Sequence, residues 1–327
     1  IKEGRNQETN PSMFLTELQT ALPDEKKLKH EQITIEQDVV LEKLTQSLQP
    51  TVSPFPAQQK EKAFFQSIVE SFVLSTTALD KYLEDPQRFV EDVLLRVPRA
   101  KVSHMAYGTA VHAALEFAFR RFKETGTMPA IEGIEDRFEW SLRKELLTES
   151  DFERRLAKGR ELVRVYFDQL QSEAIEPMEV ERIVGHGKSK VLLEDIPLSG
   201  RIDRIDWLDR EKKLVRVVDY KTGSAKSANY IEGKVASQPM SERERALPEP
   251  IRGKYKRQLL FYKLLSDLDP SFKPEVTEGV FEFVEPSKSG KVVARRFELK
   301  QEDVEVLKEL IKEVMSEIRQ LKFLSLA

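Results

Sequence analysis

The chain has 327 residues, 40% of them hydrophobic, no cysteine, and 53 basic against 56 acidic side chains for a net charge of −3. That length and apolar content suffice for one large domain with a full core plus an N-terminal appendage. The near-neutral charge excludes a global pull towards polyanions, so any surface of that kind must be local. No apolar run reaches membrane length and no secretory leader pattern is visible, which excludes a membrane partner at this level; with the absence of cysteine, this fits a soluble protein of a reducing, cytoplasmic setting.

Residues 1–71 read as a helical connector. Helical pieces are predicted around 11–20, 35–48 and 57–72, separated by polar stretches and by Gln49-Pro50-Thr51-Val52-Ser53-Pro54-Phe55-Pro56, which proline keeps from being helical. Residues 72–327 form the second domain. It opens with a helix near 75–84 and another after Asp85-Pro86, where the aspartate can cap and the proline suits a first turn. A helix over 106–124 carries Val111, Leu115, Ala118, Phe119 and Phe122 at helical spacing, with His112 among them. A long amphipathic helix near 150–174 precedes strands near 179–194, 197–208 and 214–221. Residues 224–250, poor in large apolar side chains and holding Pro239, Pro248 and Pro250, read as a loop or partly disordered insertion, a candidate gate beside Lys221. A helix near 251–267 follows. Strands over 279–284 and 291–297 then make a hairpin around Ser287-Lys288-Ser289-Gly290, before a final amphipathic helix from 301 to 322. There is no internal repeat.

The chemistry concentrates between Gly200 and Gly223. Alternation along the strand ending in Val218-Asp219-Tyr220-Lys221 puts Asp219 and Lys221 on one face and Tyr220 on the other. The turn from Asp209 to Lys213 serves as a hairpin connection, bringing the strand that carries Asp203 alongside. Two carboxylates and one ammonium then converge. Hard oxygen ligands suit Mg2+ or Mn2+, and a lysine beside a bound metal can orient or deprotonate a water while stabilising a pentavalent phosphate. The chemistry suggested is phosphodiester hydrolysis; the bland alternative is a set of exposed charges on hairpin strands. Gln258 and Tyr262, four apart on a helix, share a face and can bind a phosphate or hold Lys221. His112 is either a satisfied core side chain or a metal ligand.

The order Gly108-x-x-x-His112, Gly200-x-Ile202-Asp203, Asp219-Tyr220-Lys221-Thr222-Gly223 and Gln258-x-x-x-Tyr262 resembles the RecB-type nuclease domain of the PD-(D/E)XK superfamily across residues 72–323. Leu74 to Leu79 and Tyr82 to Phe89 resemble that domain's opening helices. More narrowly, the chain is similar to the version fused behind UvrD/Rep-type helicases, where a Pro-Ser-x-Phe-Leu-x-Glu-Leu segment closes the motor. Pro11 to Leu18 fits that segment, so the chain is expected to begin just after the last helicase motif.

The resemblance implies an α/β, restriction-endonuclease-like core, a central mixed sheet flanked by helices, with helical N-terminal additions. It implies a divalent-metal-dependent deoxyribonuclease of exonuclease type, a hydrolase of DNA repair and recombination, with Mg2+ or Mn2+ held by His112, Asp203, Asp219 and the Tyr220 backbone carbonyl. Asp203, Asp219 and the catalytic lysine, Lys221, would carry the reaction, and Gln258 and Tyr262 would support the site and the DNA backbone. Glu181 matches an upstream family acid only loosely and is not counted with them. The implied partners are DNA, as a single strand or a duplex end, and a helicase motor in the same full-length chain. Many relatives carry an iron-sulfur cluster on four cysteines; Asp85 stands where the first would be, and without cysteine no iron-sulfur cluster can form in this chain. Either this lineage lacks the cluster or the fragment stops short of it. The competing class is a nuclease-like clamp, weak or inactive in catalysis, that binds DNA and regulates a helicase; the presence of all six motif side chains argues for activity. A stand-alone nuclease resembling the CRISPR-associated adaptation exonucleases would leave Pro11 to Leu18 unexplained. The glycine-rich phosphate loop of ATPases is missing, so no ATPase activity is expected. Arg88, Arg96, Arg99 and Lys101, and then Lys254, Lys256 and Arg257, form local basic clusters that are either phosphate contacts or solvated helix faces. Tyr107, Tyr230 and Tyr255 either stack on single-stranded bases or pack.

Overall fold

A computed structural model describes residues 57–98, 102–170, 175–185, 190–287 and 289–325. The helices expected around 11–20 and 35–48, and the Pro11 to Leu18 segment, lie outside the described residues. Helix α1 (Ala57–Glu70) leads into a two-residue strand, β1 (Leu74–Ser75). Ser75 then caps α2 (Thr76–Glu84), its hydroxyl accepting the Ala78 amide at 3.3 Å. Asp85 ends α2 and starts α3 (Pro86–Phe89): its Oδ1 accepts the Gln87 and Arg88 amides at 2.9 and 3.2 Å, the capping that the Asp-Pro pair predicts. A π turn, Val90–Leu94, continues it.

Three helices follow: α4 (Ser103–Thr125), α5 (Ile131–Arg143) and α6 (Glu149–Leu170). Helix α5 has no counterpart among the elements read from sequence, although Ile134, Phe138 and Leu142 bury one face at helical spacing. The single strand expected over 179–194 is two: β2 (Pro177–Val184) and β3 (Val191–Leu193). Gly185 separates them at φ +77°, where a Cβ would fall 1.9 Å from the Leu198 carbonyl oxygen. The hairpin β4 (Ile196–Asp209) and β5 (Leu214–Lys221) agrees with expectation. The segment read as a loop from 224 to 250 instead contains α7 (Ala228–Ile231), α8 (Glu242–Ala246) and the start of α9 (Glu249–Arg252). It is pinned rather than loose: Ser241 donates to the Leu83 carbonyl at 2.7 Å, and Arg243 pairs with Glu317 at 2.7 Å. Then come α10 (Lys254–Leu268), β6 (Glu275–Phe283), β7 (Val293–Glu298) and α11 (Gln301–Arg319).

The sheet is mixed. Strand β4 pairs antiparallel with β2, β3 and β5 and parallel with β1; β5 runs parallel to β6, which pairs antiparallel with β7. Alternation along β5 sorts side chains between two cores. Val215 and Val217 join the core built with α1, α2, α10 and α11, whereas Val218 and Tyr220 join the one under α4, α5 and α6. Phe65 and Val69 of α1, a helix within residues 1–71, are buried in the first of these cores, with the Phe65 ring edge-on to Phe323 at 5.5 Å. Among the described residues, no helix is long and apolar enough to cross a membrane.

Candidate active site

Strands β4 and β5 pair from Asp209 opposite Leu214, through a register shift between Asp209 and Trp207, to Arg204 opposite Val218, where their pairing ends. Beyond it the Tyr220 amide donates to Asp203 Oδ2 at 2.8 Å, so a side-chain carboxylate of β4 occupies a backbone donor of β5. That bond fixes Asp203 beside Asp219. The alternation around Tyr220 is the one expected from sequence. On one face, Lys221 Nζ donates to Gln258 Oε1 at 2.8 Å, while Gln258 Nε2 and the Tyr262 hydroxyl each donate to Asp219 Oδ1 at 2.9 Å. Helix α10 therefore presents Gln258 and Tyr262 to both members of the Asp-x-Lys pair.

On the other face the Tyr220 ring stacks on Phe119 of α4 at 6.2 Å, and its hydroxyl accepts from Arg204 at 2.7 Å. Arg204 has no exposed surface, and its charge is balanced by Asp206 at 2.8 Å and Glu282 at 2.7 Å. Such compensation is required, because an unpaired buried guanidinium would cost several kcal/mol.

His112 arrives from α4, its Nδ1 3.4 Å from Asp203 Oδ1. Gly108 stands one turn before it, and a Cβ there would lie 3.2 Å from Thr222 Oγ1. The glycine of Gly-x-x-x-His thus lets the helix approach the end of β5. Glu181 completes the cluster: donor atoms of His112, Glu181 and Asp203 all lie within 4.8 Å of one another. Sequence reasoning set Glu181 aside. It is buried, paired with Arg201, and has a left-handed backbone at φ +53°, an irregularity that alternation along β2 cannot anticipate.

Asp219 stands apart from that triple, turned to α10. Its Oδ2 is buried with no hydrogen bond, although the Lys221 ammonium lies 2.8 Å away as an ion pair. Burial, reinforced by the charge of Asp203, pushes the Asp219 pKa up against the opposing effect of Lys221. Burial alone would lower the Lys221 pKa, but the charges of Asp219 and Asp203 outweigh it and the net direction is upward, so the amine holds its proton. His112 behaves likewise: desolvation is overcome by its hydrogen bond to Asp203 and by the charges of Asp203, Asp219 and Glu181, and its pKa rises to about 9. Burial and the charge of Asp203 lift Glu181 to about 7 despite Arg201. A pocket in which the His112, Glu181 and Asp203 donors crowd within 4.8 Å of one another is one that a divalent cation relieves.

Other expectations fare differently. Arg257 is fully buried, bonded to Asp80 at 2.7 Å and Glu244 at 3.0 Å, and Lys256 donates to the Glu298 carbonyl at 3.0 Å. The second basic cluster is therefore fold-internal, apart from the exposed Lys254. Arg99 and Lys101 lie outside the described residues. Tyr107 is buried and packs, whereas Tyr230 and Tyr255 are half-buried and meet each other at 6.3 Å, with Lys221 5.3 Å from the Tyr255 ring.

A mixed sheet between helical layers, with two aspartates, a glutamate, a histidine and a lysine gathered where a hairpin's pairing ends, defines an α/β protein of the restriction-endonuclease-like class. Residues 73–325 match the PD-(D/E)XK nuclease superfamily, and the chain belongs to that superfamily, carrying its nuclease domain. Its members usually use divalent metals, and the donors of His112, Glu181 and Asp203, all within 4.8 Å of one another, fit one. The chain is also similar to the crystal structure of a candidate exonuclease from Eubacterium rectale, with 12% identity, a TM-score of 0.42, and coverage of 84% of this chain and 87% of that one.

Proposed function

We propose that this domain is a divalent-metal-dependent deoxyribonuclease of RecB type, acting as an exonuclease on DNA ends. The observation that carries the reading is the convergence of the His112, Glu181 and Asp203 donors within 4.8 Å of one another, at the strand pair that also carries the Asp219–Lys221 ion pair. His112, Asp203 and Asp219, now with Glu181, would hold Mg2+ or Mn2+, with the Tyr220 carbonyl as a further ligand. A bound ion supplies Lewis acidity at the phosphate and a water acidic enough to yield a nucleophile near neutral pH.

Lys221 keeps its proton and offsets charge building on the phosphate oxygens as the water oxygen bonds to phosphorus and the leaving oxygen departs. Gln258 aims that ammonium by accepting from it, and Tyr262 holds Asp219 from behind. The order of motifs and the match of Pro11 to Leu18 support a place behind a UvrD/Rep-like helicase motor in one cytoplasmic polypeptide that works in DNA repair or recombination.

The test is degradation of end-labelled single-stranded and duplex DNA with manganese, magnesium or chelator, beside Asp219→Asn. Metal-dependent cleavage reduced about a hundredfold or more by the substitution is expected, with a product ladder that reports end preference. Equal cleavage by the variant would sink the assignment, and DNA binding without cleavage in either metal would favour the clamp.

A further inference from the structure

Oxygen atoms are not the whole environment of the Lys221 ammonium. Besides Gln258 Oε1 and Asp219 Oδ2, each at 2.8 Å, its Nζ lies over the Tyr255 ring at 5.3 Å and over the Phe281 ring at 5.2 Å. Both distances fall within the reach of cation–π attraction, roughly 6 Å from a ring centroid. The two rings are set against each other, edge to face at 5.3 Å. Phe281 comes from β6, opposite Asp219 in the parallel register. Tyr255 comes from the first turn of α10, and Tyr255, Gln258 and Tyr262 follow at i, i+3 and i+7. One helical stripe thus brings a ring, an amide and a phenol to the Asp-x-Lys pair.

The rings solve a problem of donor supply. A lysine ammonium has three N–H groups. One goes to Gln258, and the Asp219 carboxylate stands beside the ammonium for another, so further oxygen partners would leave none for a phosphate. A ring face attracts the charge without taking a donor. The Lys221 side chain keeps 24% of its surface exposed, so an incoming oxygen can still reach it.

We propose that Tyr255 is a positioning residue for Lys221: its ring, with that of Phe281, holds the ammonium where it meets the scissile phosphate. The role in cleavage rests on the nuclease reading, whereas the attraction between ring and ammonium is also read in the unfolding of the full chain. Half-buried Tyr255 is replaced by phenylalanine, then by phenylalanines bearing one, two and three ring fluorines. Fluorine draws electron density from the ring face and weakens its pull on a cation at nearly constant shape. Tyr255→Phe is expected to keep kcat within about twofold, and each fluorine to lower it further, to about fivefold below Tyr255→Phe with three, at unchanged KM. The unfolding constant in urea rises by a similar factor along the series, and that trend vanishes in a Lys221→Met background. Should Lys221→Met fail to fold, the kcat series alone decides. A kcat indifferent to fluorine overturns the proposal, as does a stability trend that survives Lys221→Met. A change confined to KM overturns it too and assigns Tyr255 to the stacking of bases. A stability trend that needs Lys221, in a protein that cleaves nothing with manganese, would uphold the grip of the ring on the ammonium and remove the nuclease reading instead.

Discussion

Gln258 links the two members of the Asp-x-Lys pair: it accepts from Lys221, donates to Asp219 and lies 2.8 Å from the Tyr262 hydroxyl. Gln258→Leu keeps the volume and removes all three, and kcat and metal affinity are each expected to fall about 10- to 100-fold, the usual effect of losing a group that orients a ligand. Metal titration and steady-state kinetics check this, and a change confined to KM would contradict it. At the same scale, His112 and Glu181 set a pH dependence. Their folded values of about 9 and about 7 lie above the ordinary 6.5 and 4.5, so the metal-free folded state binds protons more tightly than the unfolded chain. The stability from His112 is fully present below 6.5 and lost as pH rises through about 9; that from Glu181 is present below 4.5 and lost through about 7. A metal takes the deprotonated forms, so its apparent affinity should climb between pH 7 and 9 with release of protons. Calorimetry in two buffers of different ionisation enthalpy measures that release, which should shrink in His112→Ala.

Helix α10 is placed by Arg257, the residue before Gln258. Its guanidinium bonds to Asp80 of α2, Glu244 of α8 and the Ile251 carbonyl, so three separate elements meet at one buried charge. Arg257→Met leaves two acids without their partner, and a loss of about 3–5 kcal/mol is expected in urea unfolding. A cost below ~1 kcal/mol would mean that solvent reaches Arg257. This network also marks the limit of what could be read from the chain. The alternation of Asp219, Tyr220 and Lys221, the Asp85 cap and the Gln258–Tyr262 pair depend on spacings of two to four residues, and they were legible. Arg257 was misassigned to a basic surface because its partners lie 13 and 177 residues away. The short helices α7 and α8, of four and five residues, carry too few turns for a periodic signal. Glu181 was passed over because nothing in the sequence announces a left-handed backbone at a non-glycine position.

At the scale of the whole molecule, residues 58–327 form one compact unit, closed at its two chain ends by aromatic contact. Phe65 of α1 and Phe323 after α11 are both buried, and Phe323 also meets Phe89 at 6.2 Å. Each change to alanine is expected to cost about 3–5 kcal/mol. Because the rings touch, the double variant should cost less than the sum by about 0.5–1.5 kcal/mol. Additive losses in chemical denaturation would mean that α1 unfolds independently of the C-terminal turn.

Tyr220 gives the sheet a further property. Its backbone amide holds Asp203 on the reacting side, while on the far side its ring stacks on Phe119 and the Arg204 guanidinium lies against both rings. The pocket's shape is thus inherited through the thickness of the sheet, from residues that no substrate meets. Substitutions behind the sheet, at Phe119, Tyr166 or Glu282, can retune the reaction over evolutionary time while every group facing DNA stays the same. Two lineages with identical site residues need not, on this account, share a turnover rate.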